Sequence, residues 1–135
     1  MSESTVVYYS PREEIANAVT HGFATIASIA GLVLLIVFAL KFSGDTVLVT
    51  SVTIFGASMI LLYLASTLYH AISHPQAKQV LQLLDHAMIF VLIAGSYTPF
   101  CLVTLEGIVG YVLCAAVWAI AIIGVAMQSL SLIHI

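Results

Sequence analysis

Four long stretches of the chain contain no Asp, Glu, Lys or Arg, and the charged residues lie in short segments between them. These stretches cover residues 15–40, 46–77, 86–105 and 107–135. Each is long enough to cross a bilayer, because a membrane-spanning helix needs about 20 predominantly apolar residues. The apolar residues are continuous and do not alternate as barrel strands do. The pattern predicts an all-α integral membrane protein with four transmembrane helices.

Turn and capping residues predict where these helices begin and end. Ser10, Pro11 and Glu13 predict a capping box with Ser10 as the N-cap. Pro75 predicts a connection over residues 74–78, and Pro99 predicts a kink in the third span. The predicted spans are about 19–40, 47–70, 81–105 and 108–128, within a membrane domain of residues 11–135 that follows a polar leader of residues 1–10.

The composition excludes several classes of protein. Charged residues make up 7% of the 135 residues and apolar residues 62%, whereas a soluble domain carries about 25% charged residues. This excludes a soluble globular enzyme and a disordered chain. The three Lys and Arg residues form no basic patch that could hold phosphates. We therefore expect membrane lipids, and no nucleic acid, as partners.

Ionisable residues near the ends of the spans are the candidates for chemistry, since such residues are costly in a membrane. Antiparallel spans place His21, His70, Asp85 and His86 at the same end. Ser66 and His70 share a helix face. Imidazole is a good zinc ligand and a carboxylate can orient it, so these residues are part of a possible metal site. Alternatively, both His70 and His86 contact headgroups, and Asp85 caps the start of a helix.

A second polar stripe lies where the first helix enters the bilayer. Glu14, Asn17 and His21 recur at i, i+3 and i+7, which places them along one helix face. The stripe is either part of the same site or a polar helix edge held by its own hydrogen bonds. With the N-terminus in the cytoplasm, Arg12 and Lys78 are cytoplasmic and one lysine is outside, a mild positive-inside signal.

Four segments of the chain resemble, in order, motifs of the bacterial hemolysin III family. Residues 14–21 resemble its E-x-x-N-x-x-[ST]-H motif, and residues 66–70 resemble its S-x-x-x-H motif. Asp85 resembles the aspartate at the start of its third span, and residues 94–100 resemble its A-G-[ST]-Y-T-P-F segment. Each motif alone is weak, but four in order at the right positions are specific. The resemblance covers nearly the whole chain.

This resemblance implies a seven-helix bundle in the bacterial cytoplasmic (inner) membrane, with a cytoplasmic N-terminus, of which this chain resembles the first four helices. The family belongs with the progestin and adipoQ receptors and, more distantly, with alkaline ceramidases. It implies zinc near the cytoplasmic end, with His70 as one ligand and Asp85 holding the water on the metal. Ser66 then lies beside the site. The other two ligands come from an H-x-x-x-H on the seventh span.

The chain departs from this pattern, because it has four spans and no H-x-x-x-H. We expect a truncated member whose partners are the missing C-terminal spans or further copies of itself. Unless His21 or His86 substitutes as a ligand, it is expected to lack tight zinc binding and catalysis. For the intact protein we expect membrane homeostasis with a zinc-dependent lipid amide or ester hydrolase activity. A membrane sensor with a structural metal and a cytolysin are the alternatives.

Overall fold

The computed structural model describes residues 9–133, which form four long helices joined by short connections. All four are long and apolar enough to cross a membrane, and no strand occurs within these residues. The predicted all-α membrane architecture is therefore confirmed. Most of the predicted leader, residues 1–8, lies outside the described residues, as do residues 134 and 135. The elements are α1 (Pro11–Phe42), α2 (Thr46–Ala71), α3 (Pro75–Pro99), a π-helix (Phe100–Leu105) and α4 (Gly107–Ile133).

Side-chain caps set the starts of the first two helices. The predicted capping box at Ser10 is confirmed, since the backbone N–H of Ser10 donates to Glu13 Oε2 at 2.9 Å and the N–H of Glu13 donates to Ser10 Oγ at 3.4 Å. Asp45 caps α2 by accepting from the N–H of Val47 at 3.0 Å. These contacts satisfy backbone donors that have no partner within the helix.

The start of α3 differs from the prediction. Residues 74–78 were predicted as a connection, but α3 already begins at Pro75. Proline is favoured at the first helical position, where its missing N–H costs nothing. Only residues 72–74 connect α2 to α3, so Lys78 belongs to a helix and not to a loop.

At Pro99 the α-helix gives way to the π-helix, at the position where the sequence predicted a kink. Proline removes a backbone donor and interrupts the regular hydrogen-bond pattern of the preceding turn. The π-helix ends at Glu106, which has φ of 49°, followed by Gly107 with φ of 61°. Glycine adopts this left-handed conformation without steric cost.

The helices pack as a row in which each contacts the next one along the chain. Within residues 9–133, the backbone of α1 approaches that of neither α3 nor α4, and the backbone of α2 does not approach that of α4. Glycines allow close contact at all three interfaces: Gly56 lies against Leu32, Gly95 against Ser58 and Gly124 against Phe90. Large apolar side chains point outward, as Phe23 does with 76% exposure. This distribution suits a lipid surrounding, where small residues line helix interfaces.

Candidate functional site

The carboxylate of Glu14 joins three helices at one end of the row. Glu14 lies in the first turn of α1. Its Oε2 is 2.6 Å from Nδ1 of His70 on α2, and its Oε1 is 2.7 Å from Nζ of Lys78 on α3. A carboxylate oxygen accepts hydrogen bonds, so both neighbours donate to Glu14. The predicted stripe on α1 thus supplies a residue to the predicted His70 site.

Lys78 is a component of this site that the sequence analysis missed. Its side chain is 4% exposed. Besides Glu14, its Nζ donates to the backbone carbonyl of Tyr69 at 2.9 Å and lies 4.6 Å from the centroid of the Tyr69 ring. A signal for it existed: Pro75 opens a helix, and the positive end of a helix dipole disfavours a lysine there. This signal suggests that an anionic group offsets the charge of Lys78 but does not identify that group.

His70 is held between Glu14 and aromatic rings. Its side chain is 7% exposed, and its ring centroid lies 4.7 Å from that of Tyr69 and 5.6 Å from that of Tyr9. Because the ionised carboxylate of Glu14 only accepts, Nδ1 of His70 carries the hydrogen. In neutral imidazole this leaves the lone pair on Nε2, the atom through which His70 can bind a metal.

His21 of α1 and Ser66 of α2 lie beside His70 and, together with Glu14, His70 and Lys78, form the cluster. Nδ1 of His21 is 2.6 Å from Oγ of Ser66, which is buried. The rings of His21 and His70 meet edge to face with centroids 5.9 Å apart. The structure therefore brings together four of the predicted residues, which are Glu14, His21, Ser66 and His70.

Asp85 lies at the depth of this cluster without bonding to it. Gly95 of α3 packs on Ser58 of α2, and the two helices are antiparallel. Ten residues before Gly95 on α3 is Asp85, and ten residues after Ser58 on α2 is Leu68, so Asp85 and Leu68 lie at the same level. Asp85 and Lys78 are seven residues apart and share a helix face. No hydrogen bond or ion pair joins Asp85 to another residue within 9–133. The alternative role for Asp85 as a helix cap is wrong, because it lies about three turns inside α3.

The two remaining candidates do not join the cluster. His86 faces α4, where its Nδ1 is 3.4 Å from Nε2 of Gln128. Asn17 is half-buried, and its side chain forms no hydrogen bond with the residues that the structure describes. His86 and Asn17 lie near the same end of the row as His70, but their side chains form no hydrogen bond with the cluster.

A cavity of about 370 Å³ opens beside the cluster, lined by Tyr9, Glu14, His70 and Lys78 among others. His70 suits one position of a zinc site, because a carboxylate on the second ring nitrogen is the usual support of a zinc-bound histidine. Within residues 9–133, however, no three His, Cys, Asp or Glu side chains are grouped to hold a metal. The donors in these residues do not complete a zinc site by themselves.

Comparisons with known proteins agree with the resemblance found in the motifs. The profile of the family described as Haemolysin-III related matches residues 9–134. The chain is 48% identical to the Hemolysin-3 homolog of Bacillus subtilis (strain 168), over 89% of the chain and 56% of that relative. It is 50% identical to the Hemolysin-3 of Bacillus cereus, over 87% of the chain and 53% of that relative.

The chain thus spans about half the length of these curated relatives. No solved structure matches it. The match of the family profile to nearly all of the residues, together with the four apolar helices and the order of the motifs, establishes the family. This chain is a membrane protein of the haemolysin-III related family.

Proposed function

We propose that the full-length protein contributes to membrane homeostasis as a zinc-dependent hydrolase of a lipid amide or ester. The observation that carries this proposal is the part-buried pair of Glu14 and His70, which leaves Nε2 of His70 for a metal. A catalytic zinc site takes about three protein ligands. The resemblance implies an H-x-x-x-H on a seventh span, and we assign the missing ligands to the part of the relatives that this chain does not match.

The position of the cluster suits a lipid substrate. His70 lies near the end of α2, and Glu14 lies near the start of α1. The cluster is therefore at the depth of the headgroup–acyl boundary, where the amide and ester bonds of lipids lie. The exposed apolar helix surfaces below it offer a place for acyl chains.

Each residue then has a chemical role. Zinc, when bound, polarises a carbonyl group and activates water. His70 would hold the metal, and Asp85, at the same depth on α3, would accept a proton from water. Ser66, whose Oγ is 2.6 Å from Nδ1 of His21, would bind a polar group of the substrate.

The test uses the full-length protein in lipid nanodiscs. Zinc content and hydrolysis of ceramide-like amide and ester lipids are measured for the wild type, His70→Ala and His86→Ala. We expect His70→Ala to lose both zinc and turnover. His86→Ala is the matched control, because His86 contacts Gln128 and not the cluster. Turnover that persists in His70→Ala would refute the proposal.

A non-enzymatic membrane sensor with a structural metal is the second candidate. It is favoured by one observation, that Glu14 already ties α1, α2 and α3 together through His70 and Lys78. A metal on His70 would add to the same link. In this case His70→Ala lowers stability, while no lipid is turned over by the wild type.

Cytolysis is the third candidate, because both relatives carry the name hemolysin. A pore needs a polar lining along whole spans. The buried hydroxyls of Ser51, Ser58 and Thr98 instead donate to backbone carbonyls of their own helices. These three hydroxyls therefore do not supply such a lining. Dye leakage from vesicles, at protein levels far below those that solubilise lipid, would support cytolysis instead.

We also propose that the protein lies in the bacterial cytoplasmic membrane with its N-terminus inside. Arg12 and Lys78 lie at the end of the row that carries the cluster, and Lys41 lies at the other end. Two positive residues at the cluster end against one at the other end support a cytoplasmic position for the cluster end. Labelling of single cysteines placed at residues 10 and 44 by a membrane-impermeant reagent would decide the orientation.

A further inference from the structure

Lys78 is a buried, charged residue that has no part in the proposed hydrolysis, so its role needs a separate explanation. A buried ion pair is weak evidence of stabilisation, because desolvation of the charges offsets their attraction. Lys78 of α3 nevertheless contacts both other helices, since its Nζ meets the carboxylate of Glu14 on α1 and the carbonyl of Tyr69 on α2. Its effect is to occupy one of the two oxygens of Glu14 and leave the other for His70.

The hydrogen-bond donors and acceptors of Glu14, His70 and Lys78, the trio, determine which ring nitrogen of neutral His70 carries the hydrogen. Both oxygens of Glu14 accept, one from Nζ at 2.7 Å and the other from Nδ1 at 2.6 Å. Neutral His70 must then carry its hydrogen on Nδ1 and its lone pair on Nε2.

We propose that Glu14 and Lys78 are positioning residues that fix this tautomer of His70 and so present Nε2 to the metal. Carboxylates fix the tautomer and ring orientation of metal-binding histidines in this way. The proposal rests on the proposed function in one respect, that His70 is a metal ligand. The tautomer itself is a property of the metal-free protein and can be measured without the metal.

The substitution Glu14→Gln separates this role from a merely structural one. An amide has the shape of a carboxylate but carries one acceptor and one donor. Lys78 can only donate, so it captures the amide oxygen and turns the NH₂ group toward His70. Nδ1 of His70 must then accept, and its hydrogen moves to Nε2. In Glu14→Gln combined with Lys78→Met, the amide is free to turn its oxygen to His70 again.

The experiment records ¹⁵N spectra of histidine-labelled, metal-free full-length protein in nanodiscs at about pH 8, where an ordinary histidine is neutral. The signals of His70 are identified by their loss in His70→Gln. We expect hydrogen on Nδ1 in the wild type, on Nε2 in Glu14→Gln, and on Nδ1 again in the double variant. The signals of His86, which contacts Gln128, should not change.

Two results would overturn the proposal. One is a wild-type His70 with its hydrogen on Nε2, or with hydrogens on both nitrogens, and this result does not depend on any variant folding. The other is a folded Glu14→Gln protein in which Nδ1 keeps the hydrogen. A loss of stability without a change of tautomer would identify the trio as a structural link only.

Zinc affinity, measured by competition with a chelator, connects the tautomer to the metal. We expect Glu14→Gln to weaken zinc binding by about 10- to 100-fold and the double variant to regain part of it. If wild-type protein binds no zinc while the tautomers behave as expected, the proposed function fails, and of the further inference only the fixed tautomer of His70 stands. If zinc binds equally to Glu14→Gln and wild type, the positioning role fails and the proposed function stands.

Discussion

The ion pair of Glu14 and Lys78 joins two helices that do not pack against each other. The atoms Oε1 and Nζ are 2.7 Å apart, yet α1 and α3 make no close backbone approach within residues 9–133. The pair passes over the end of α2, where Tyr69 and His70 contact it from below. The polar contacts at this end therefore link helices that are separated elsewhere in the row.

Replacement of Lys78 tests how much this link stabilises the fold. Lys78→Met removes the partner of a carboxylate whose side chain is only 17% exposed. Breaking a buried pair costs about 3 kcal/mol or more, because the remaining charge stays uncompensated. We expect a loss of about 3 kcal/mol in the free energy of unfolding, measured by denaturant titration in detergent micelles.

Lys41→Met is the matched control for this measurement. Lys41 is exposed at the opposite end of the row, and surface substitutions usually change stability by no more than about 0.5 kcal/mol. An equal effect of the two substitutions would contradict the assignment of Lys78 as a buried ion-pair partner.

The sequence predicted the helices but only part of the site, and the reason is physical. Apolar runs and the cap at Ser10 depend on neighbouring residues, so four helices and the shared face of Ser66 and His70 could be predicted. The contacts between helices depend on their register, which is set by close packing such as that of Gly95 on Ser58. Hydrophobic patterning does not encode that register, so the pairing of Glu14 with Lys78 could not be foreseen.

Gly95 allows α2 and α3 to approach closely, and Gly95→Ala tests this contact. A Cβ at residue 95 would overlap Ser58 Oγ and lie 2.9 Å from Ser58 Cβ, closer than atoms can pack. Overpacking of this kind costs about 1–3 kcal/mol. We expect that loss in the free energy of unfolding of Gly95→Ala.

Gly31→Ala provides the comparison for Gly95→Ala. A Cβ at Gly31 meets no described atom within 4 Å, and alanine favours a helix over glycine by about 0.8–1 kcal/mol. Gly31→Ala should therefore be neutral or stabilising. The contact would be refuted if both variants unfolded with the same free energy.

A hydrogen bond between α3 and α4 lies at the end of α3, next to Pro99. Nε1 of Trp118 donates to Oγ1 of Thr98 at 3.0 Å, and that hydroxyl donates to the carbonyl of Ala94. Side-chain hydrogen bonds between helices in a membrane contribute about 0.6 kcal/mol on average. A double-mutant cycle with Trp118→Phe and Thr98→Val should give a coupling energy near about 0.6 kcal/mol. A coupling of zero would show that the two side chains do not interact.

The hydrogen bond between His21 and Ser66 predicts that two buried serines, Ser66 and Ser51, differ in their contribution to stability. Ser66→Ala removes the hydroxyl 2.6 Å from Nδ1 of His21, which leaves a partly buried ring nitrogen unpaired at a cost of about 1–3 kcal/mol. Ser51 is also buried, but its hydroxyl only donates to the carbonyl of Val47 in its own helix.

The carbonyl of Val47 also accepts the regular backbone hydrogen bond of α2. Ser51→Ala therefore leaves no polar group without a partner and should change the free energy of unfolding very little. We therefore expect Ser66→Ala to lower the free energy of unfolding by about 1 kcal/mol more than Ser51→Ala. The ¹⁵N signals of His21 should shift in Ser66→Ala and stay unchanged in Ser51→Ala. Equal stability losses with an unshifted His21 would mean that Ser66, like Ser51, bonds only to its own helix.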